Sequence, residues 1–294
     1  MVVAMRARDH HVIWRFRIKS GAPYASTPTV DSTSVYVTSL GGRFDVLNRK
    51  TGARQWGLAG IGRTESSPLL WRDRVIFGDE DGNVYAMSLT THKLVWRYRV
   101  GAAVKGAPAE LGGRLVVGAY DGSLTCLNYN GRRIWRSSTG GVLSSNTFYA
   151  TAALAYDTAY IGGTGGSIYA FDLHNGGLRW SYTTGGYVYS SPAVWRNMVF
   201  EGSYDNYFYA LNAVTGNLVW RFYAGAAISG SPTVLHGIVY ISSLSGRTWG
   251  LNARTGHVMW SFADGRYSPV TADATTLYLN GYHTLYAMVP KKKH

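Results

Sequence analysis

A single cysteine, Cys126, stands in 294 residues, so the chain holds no internal disulfide and no metal site built from several thiolates. Charge is scarce too: 15% of residues are Asp, Glu, Lys or Arg against 46% hydrophobic, which excludes a disordered chain. Acids are the scarcer sign, 16 against 29 Lys plus Arg, and the formal net charge is +13. No apolar run approaches the ~20 residues of a membrane-spanning helix. The G-x-S-x-G elbow, H-E-x-x-H helix, phosphate loop and dinucleotide fingerprint are all missing. Glycine is abundant instead, at 36 residues, a frequency that breaks helices throughout and excludes a helical bundle. Aromatics reach 14%, led by 22 Tyr and 10 Trp, and favour strands.

Seven of the ten tryptophans recur at Trp14, Trp56, Trp96, Trp135, Trp180, Trp220 and Trp260, with spacings of 42, 40, 39, 45, 40 and 40 residues. Proline keeps the same phase at Pro28, Pro68, Pro108, Pro192, Pro232 and Pro269, with Ala152 in the missing place. Between the markers, short apolar runs are separated by turn dipeptides such as Asp81-Gly82 and Asp121-Gly122, which tolerate the positive φ of a tight hairpin. Four strands of about five or six residues with three short turns fill one period of about 40. A four-stranded antiparallel sheet per period is a propeller blade. A lone blade buries neither face, so the units are expected to stack and close. The reading is all-β: residues 1–294 form one seven-bladed propeller domain, its last blade made of 268–289 and closed by the N-terminal strand 12–18.

The unit at 202–220, GSYDNYFYALNAVTGNLVW, with partial copies at 78–96 and 162–180, resembles the repeat of the pyrroloquinoline quinone (PQQ)-like propellers. WD40-like repeats fit less well, since none of the seven tryptophans precedes Asp. The resemblance spans essentially the whole chain. Its catalytic branch, the quinoprotein dehydrogenases, is about twice as long and carries adjacent bridged cysteines, a calcium ion and a catalytic Asp, none of which has a counterpart here. The acidic run Asp79-Glu80-Asp81 reads as a solvated hairpin turn. The chain is more similar to the noncatalytic branch, which includes the outer-membrane protein assembly lipoprotein and scaffold or sensor domains; no cofactor is implied.

The eight histidines are scattered over different repeats and read as surface loop residues. Cys126 reads as a small core residue, in line with Met87, Phe171 or Leu211 of other repeats. Packing positions should look alike across repeats, and ligand positions should differ. Three residues before each proline marker stand Ala25, Glu65, Lys105, Tyr149, Tyr189, Ser229 and Arg266, which are chemically diverse. Two residues on stand Thr27, Ser67, Ala107, Thr151, Ser191, Ser231 and Ser268, all small. The longest spacing, 45 residues, adds a loop at 138–150. Asn146, Phe148 and Tyr149 in it, with Tyr187 and Tyr189 of the next loop and Tyr204 and Tyr282 of the facing hairpins, form the candidate binding face beside Glu65, Lys105 and Arg266. The competing reading is that these rings plug a central channel.

The cations Arg15, Arg17, Lys19, Arg54, Arg97, Arg99, Arg133, Arg136 and Arg221 fall on outermost strands, where charge deters edge-to-edge pairing or attracts an anionic polymer or lipid surface. Nucleic-acid binding lacks a fold signature. Residues 1–8 are too short for a secretion signal, and the start close to a strand points to a leader or anchor upstream. The expected function is a noncatalytic, monomeric scaffold of the cell envelope or a secreted one, with a cytoplasmic site left open, recognising a protein, peptide or glycan. A PQQ- or sugar-dependent oxidoreductase and electrostatic docking to an anionic surface are the alternatives.

Overall fold

The computed structural model describes residues 1–18, 21–139, 146–265, 267, 270–273 and 276–289. Every regular element among them is a strand; no helix occurs. Each repeat folds as a meander of four antiparallel strands in sequence order. The six complete sheets are blade 1 (29–59), blade 2 (69–99), blade 3 (109–138), blade 4 (153–183), blade 5 (193–223) and blade 6 (233–262). Thr271–Ala272, Leu277–Asn280 and Leu285–Met288 make a seventh sheet, of three strands among the described residues. Two compact units contain them, 1–139 with the first three blades and 140–294 with the rest.

The N-terminal strand departs from expectation. Among the described residues Val12–Phe16 pairs with Val2–Met5, a strand not expected from the sequence, in a two-stranded sheet. The reason lies in the sequence: Val2-Val3-Ala4-Met5 copies the Val84-Tyr85-Ala86-Met87 pattern of a third strand, so the nearest partner of Val12–Phe16 precedes it in the chain. Val2 and Trp14 pack against Val35, Val37 and Leu47 of blade 1.

The core lies between blades, as the alternation of strand side chains requires. Ile76, Val84 and Ala86 of blade 2 meet Leu115, Val117 and Leu127 of blade 3, all essentially fully buried. Phe200, Phe208 and Ala210 of blade 5 meet Val239, Ile241 and Leu251 of blade 6. Each such large side chain contributes about 1.5–3 kcal/mol on leaving water.

The repeating Trp and the repeating Gly prove to be one contact. Gly52, Gly131, Gly216 and Gly256, each four residues before a Trp, have positive φ and lie against the indole of the preceding repeat: a Cβ on Gly216 would stand 2.7 Å from Trp180, and one on Gly131 2.6 Å from Trp96. The indole N–H then donates to a carbonyl of the same turn, Trp180 to Ala213 at 3.0 Å and Trp96 to Tyr129 at 2.9 Å. In blade 2 this slot holds His92, at φ 58, and its imidazole stacks on Trp56 with centroids 4.5 Å apart. His92 is thus a stand-in for glycine rather than an unattached loop residue.

Strand pairing also corrects two side-chain readings. Cys126 pairs with Trp135 as Ala86 pairs with Trp96 and Ala210 with Trp220, so it occupies the alanine slot, one residue before the Met87 and Leu211 positions. Asp79 is fully buried: its carboxylate accepts the N–H of Gly62 at 3.1 Å and of Asn83 at 2.8 Å, and the Tyr85 hydroxyl at 2.8 Å. Of the cations expected on outer edges, Arg54 donates to the buried Asp45 at 2.6 Å and Arg136 to Asp121 at 2.5 Å, while Lys19 lies outside the described residues.

Candidate functional site

The segments entering each blade alternate like strands, inward then outward. In 62–66, Thr64 and Ser66 are buried and Arg63 and Glu65 face out; in 186–191, Val188 and Ser190 are buried and Tyr187 and Tyr189 face out. Val188 anchors its segment by packing where Gly162 leaves room, since a Cβ there would stand 2.1 Å from the valine, and its N–H reaches Gly163 O at 3.2 Å. Tyr204 N–H donates to Tyr187 O at 2.9 Å, tying the blade 5 hairpin to the same segment.

The uniform small slot is a chain of inter-blade hydrogen bonds. Thr27 N–H donates to Ser67 Oγ at 2.9 Å, Thr151 N–H to Ser191 Oγ at 3.0 Å and Ser191 N–H to Ser231 Oγ at 2.9 Å, always 40 residues apart. The hydroxyls of Ser67, Ser191 and Ser231 are therefore structural.

The diverse slot divides into two groups, one in each unit. In the first unit Lys105 Nζ lies 2.9 Å from Glu65 and 3.2 Å from Glu80, and 5.4 Å from the Tyr120 ring centroid. Burial lowers the Lys105 pKa, and the bonds to Glu65 and Glu80 more than reverse this, so the net shift is upward. Glu65 and Lys105 thus satisfy each other. Glu80, which joins them, was expected only as part of a solvated turn.

In the second unit four tyrosines from consecutive segments converge. Tyr149 meets Tyr189 edge-on at 5.8 Å between centroids, Tyr187 meets Tyr189 at 6.0 Å, and Tyr204 lies 5.0 Å from Tyr189 and 6.4 Å from Tyr187. Tyr187 is 56% exposed and the others are half-buried. Edge-on rings hold one another rigidly and leave faces open.

The tyrosine hydroxyls of the chain differ in what they meet. Seven donate to an Asp: Tyr24 to Asp45, Tyr36 to Asp31, Tyr85 to Asp79, Tyr129 to Asp73, Tyr209 to Asp205, Tyr278 to Asp273 and Tyr286 to Asp264. Burial, reinforced by the bond to Asp79, pushes the Tyr85 phenol up to about 12. Among the described residues the hydroxyls of Tyr187, Tyr189 and Tyr204 meet no protein partner.

Other expected members stand elsewhere. Phe148 is fully buried, edge-on to Tyr169 at 5.9 Å, and Asn146 is buried with its side-chain oxygen accepting Gly165 N–H at 2.8 Å. Both face inward because they share the parity of Ala150, opposite to Tyr149, so they brace the loop and do not line its surface. Tyr282 is exposed on the hairpin of the last sheet, its N–H bonded to Asp264 at 2.9 Å. Arg266, and residues 140–145 of the long loop, lie outside the described residues.

A residue of another kind lies beneath the tyrosines. Glu201, on Met198–Gly202, is fully buried and faces blade 4 near Gly162; Ser190 Oγ donates to one oxygen and the other has no partner. Burial holds its carboxyl well above the usual range, opposed by the bonds from Ser190 and the Gly202 backbone.

A family profile described as outer membrane protein assembly factor BamB matches residues 1–91, 72–187 and 184–291, nearly the whole chain. The chain belongs to this family. The BamB of Yersinia pestis is 29% identical over 174 residues, which cover 53% of this chain and 43% of that protein. Tetrathionate hydrolase of Acidithiobacillus ferrooxidans is 25% identical over 203 residues, 61% of this chain and 40% of the enzyme. The matched part thus spans less than half the length of these relatives. The crystal structure of BamB from Moraxella catarrhalis superposes with a TM-score of 0.78 at 18% identity, covering 92% of this chain and 86% of that one. That likeness shows the fold, a seven-bladed β-propeller of four-stranded antiparallel sheets.

A quinone site of the dehydrogenase kind does not fit this BamB-family chain. Among the described residues no three of His, Cys, Asp and Glu converge as metal ligands, and the lone thiol of Cys126 is buried and pushed up to about 12 by that burial.

Proposed function

We propose that this chain is a noncatalytic binding propeller of the cell envelope whose tyrosine face, at the loop ends of blades 4 and 5, holds a segment of a protein partner. The observation that carries the reading is the convergence of Tyr149, Tyr187, Tyr189 and Tyr204 into one ring cluster. Within it Tyr187, Tyr189 and Tyr204 bring hydroxyls that meet no protein partner among the described residues, on a backbone tied by the bond from Tyr204 N–H to Tyr187 O. Tyrosine offers a peptide a large contact area with only two torsions to freeze, plus a hydrogen bond at its tip. The envelope setting rests on the family, whose members are described as outer membrane protein assembly factors.

Panning a random dodecapeptide library on the immobilised chain tests the reading. Enriched peptides should lose about tenfold or more in affinity for the Tyr187→Ala/Tyr189→Ala variant, as expected for interface anchors, while its melting temperature stays within a few degrees of the parent. Enrichment that is indifferent to both tyrosines, or a collapse of stability, would instead make them packing residues.

A further inference from the structure

At the opposite end of blades 5 and 6 from the tyrosines, the first-hairpin turns and the last turn of blade 6 enclose a polar cavity of about 470 Å³. It is lined by Trp195, Arg196, His236, Gly237, Asn252 and Arg254, and no acid is among them. Blades 1, 2 and 4 carry an acid in the same turn, and there it is used, while blade 3 has Gly112-Gly113. Asp31 of blade 1 accepts the N–H of Thr33 at 2.7 Å, Asp73 of blade 2 accepts the Tyr129 hydroxyl and lies 4.0 Å from Arg74, and Asp157 of blade 4 lies 3.4 Å from His174. In blades 5 and 6 the corresponding residues are Asn197 and Gly237. The acid is lost where the cations remain: among the described residues neither Arg196 nor Arg254 meets a carboxylate.

Guanidinium, imidazole and amide groups line the cavity, with no carboxylate among them. The Arg196 guanidinium lies 4.8 Å from the Trp195 ring centroid, a stacking that fixes its plane and leaves its N–H edge free. Asn252 uses its side-chain oxygen to accept the N–H of Arg254 at 2.9 Å and of Thr255 at 3.2 Å, which leaves its amide nitrogen to donate. Ala253 N–H donates to Gly237 O at 2.9 Å, holding the two turns of blade 6 together. Two planar forks, an imidazole and an amide around one hollow match a tetrahedral dianion better than a carboxylate, because they supply more donors than two oxygens can accept.

We infer that this cavity binds a phosphate group, in the form of a phosphomonoester on a small molecule or a lipid headgroup. The site is separate from the tyrosine face and does not depend on that reading.

Calorimetric titration with inorganic phosphate and with glycerol 3-phosphate tests it at constant ionic strength, against Arg196→Gln/Arg254→Gln and against Arg97→Gln/Arg99→Gln as a charge-matched control. Hydrogen bonds to charged groups support about a tenfold loss per guanidinium, so the first variant should bind about a hundredfold more weakly and the control should match the parent. Sedimentation with phosphatidylcholine vesicles, with and without phosphatidic acid, separates the sources. Co-sedimentation that needs phosphatidic acid and both arginines assigns the lipid headgroup; glycerol 3-phosphate binding without it assigns a soluble ester. Equal loss in the control would mean that only the diffuse positive charge acts, and that result, or no binding of either form, would overturn the inference.

Discussion

Replacing Glu201 by Gln should change how stability depends on pH, and by an amount the structure sets. The equivalent strand position is Val37, Phe77, Val117, Ile161, Ile241 and Leu279 in the other sheets, so the slot is built for an apolar side chain. With one oxygen unpartnered and no cation beside it, the carboxyl is held neutral by burial, which raises its pKa well above the usual carboxylate range. In the unfolded chain it ionises near pH 4.3. Above that pH the unfolded state carries one proton fewer than the folded state, so unfolding is favoured as pH rises, by about 1.4 kcal/mol per unit while the folded carboxyl keeps its proton. Between pH 5 and 7 the parent should therefore lose stability relative to Glu201→Gln, by up to about 3 kcal/mol, the limit reached when the folded carboxyl keeps its proton throughout. Glu201→Ile, which copies blades 4 and 6, should abolish the dependence likewise. Urea unfolding of the three proteins at pH 5, 6 and 7 reads the difference directly, other titrations being common to all. Parallel pH profiles for parent and variants would refute the reasoning, because they would require Glu201 to be ionised in the fold.

Gly216→Ala should cost about 2–4 kcal/mol in urea unfolding, since the residue has φ 75 and its Cβ would stand 2.7 Å from Trp180. Ser191→Ala removes the acceptor of Thr151 N–H and should cost about 1 kcal/mol by the same assay. Cys126, buried with its thiol pushed up to about 12, should stay unlabelled by a disulfide-exchange reagent at pH 8 in the native protein and react fully in denaturant; rapid native labelling would contradict its placement.

The fold was legible because tryptophan and proline recur in phase, and the tryptophan marker is one side of a repeated contact, an indole from one repeat on the glycine turn of the next. The same periodicity could have placed His92 and His10, which stand four residues before Trp96 and Trp14 at φ 58 and 57, in the glycine slot. It could also have marked Glu201 as the one acid in an apolar column. Inward and outward alternation separated Tyr149 from Asn146 and Phe148, a parity visible at 146–150 once the loop is read as extended chain. The N-terminal hairpin was missed because Val2–Met5 is a third strand lacking its own proline marker. Ring-to-ring geometry and the pairing of Lys105 with Glu80 were not legible, since both depend on hairpins meeting segments from neighbouring blades.

The most direct test of the binding account is site-specific photo-crosslinking in cells that produce the chain, with the crosslinking residue placed at 187 or 189, or at the exposed Val214 in the turn at the far end of blade 5. The account expects a discrete envelope protein adduct from positions 187 and 189 and none of that mass from 214. The same adduct from all three positions, or from 214 alone, would contradict it.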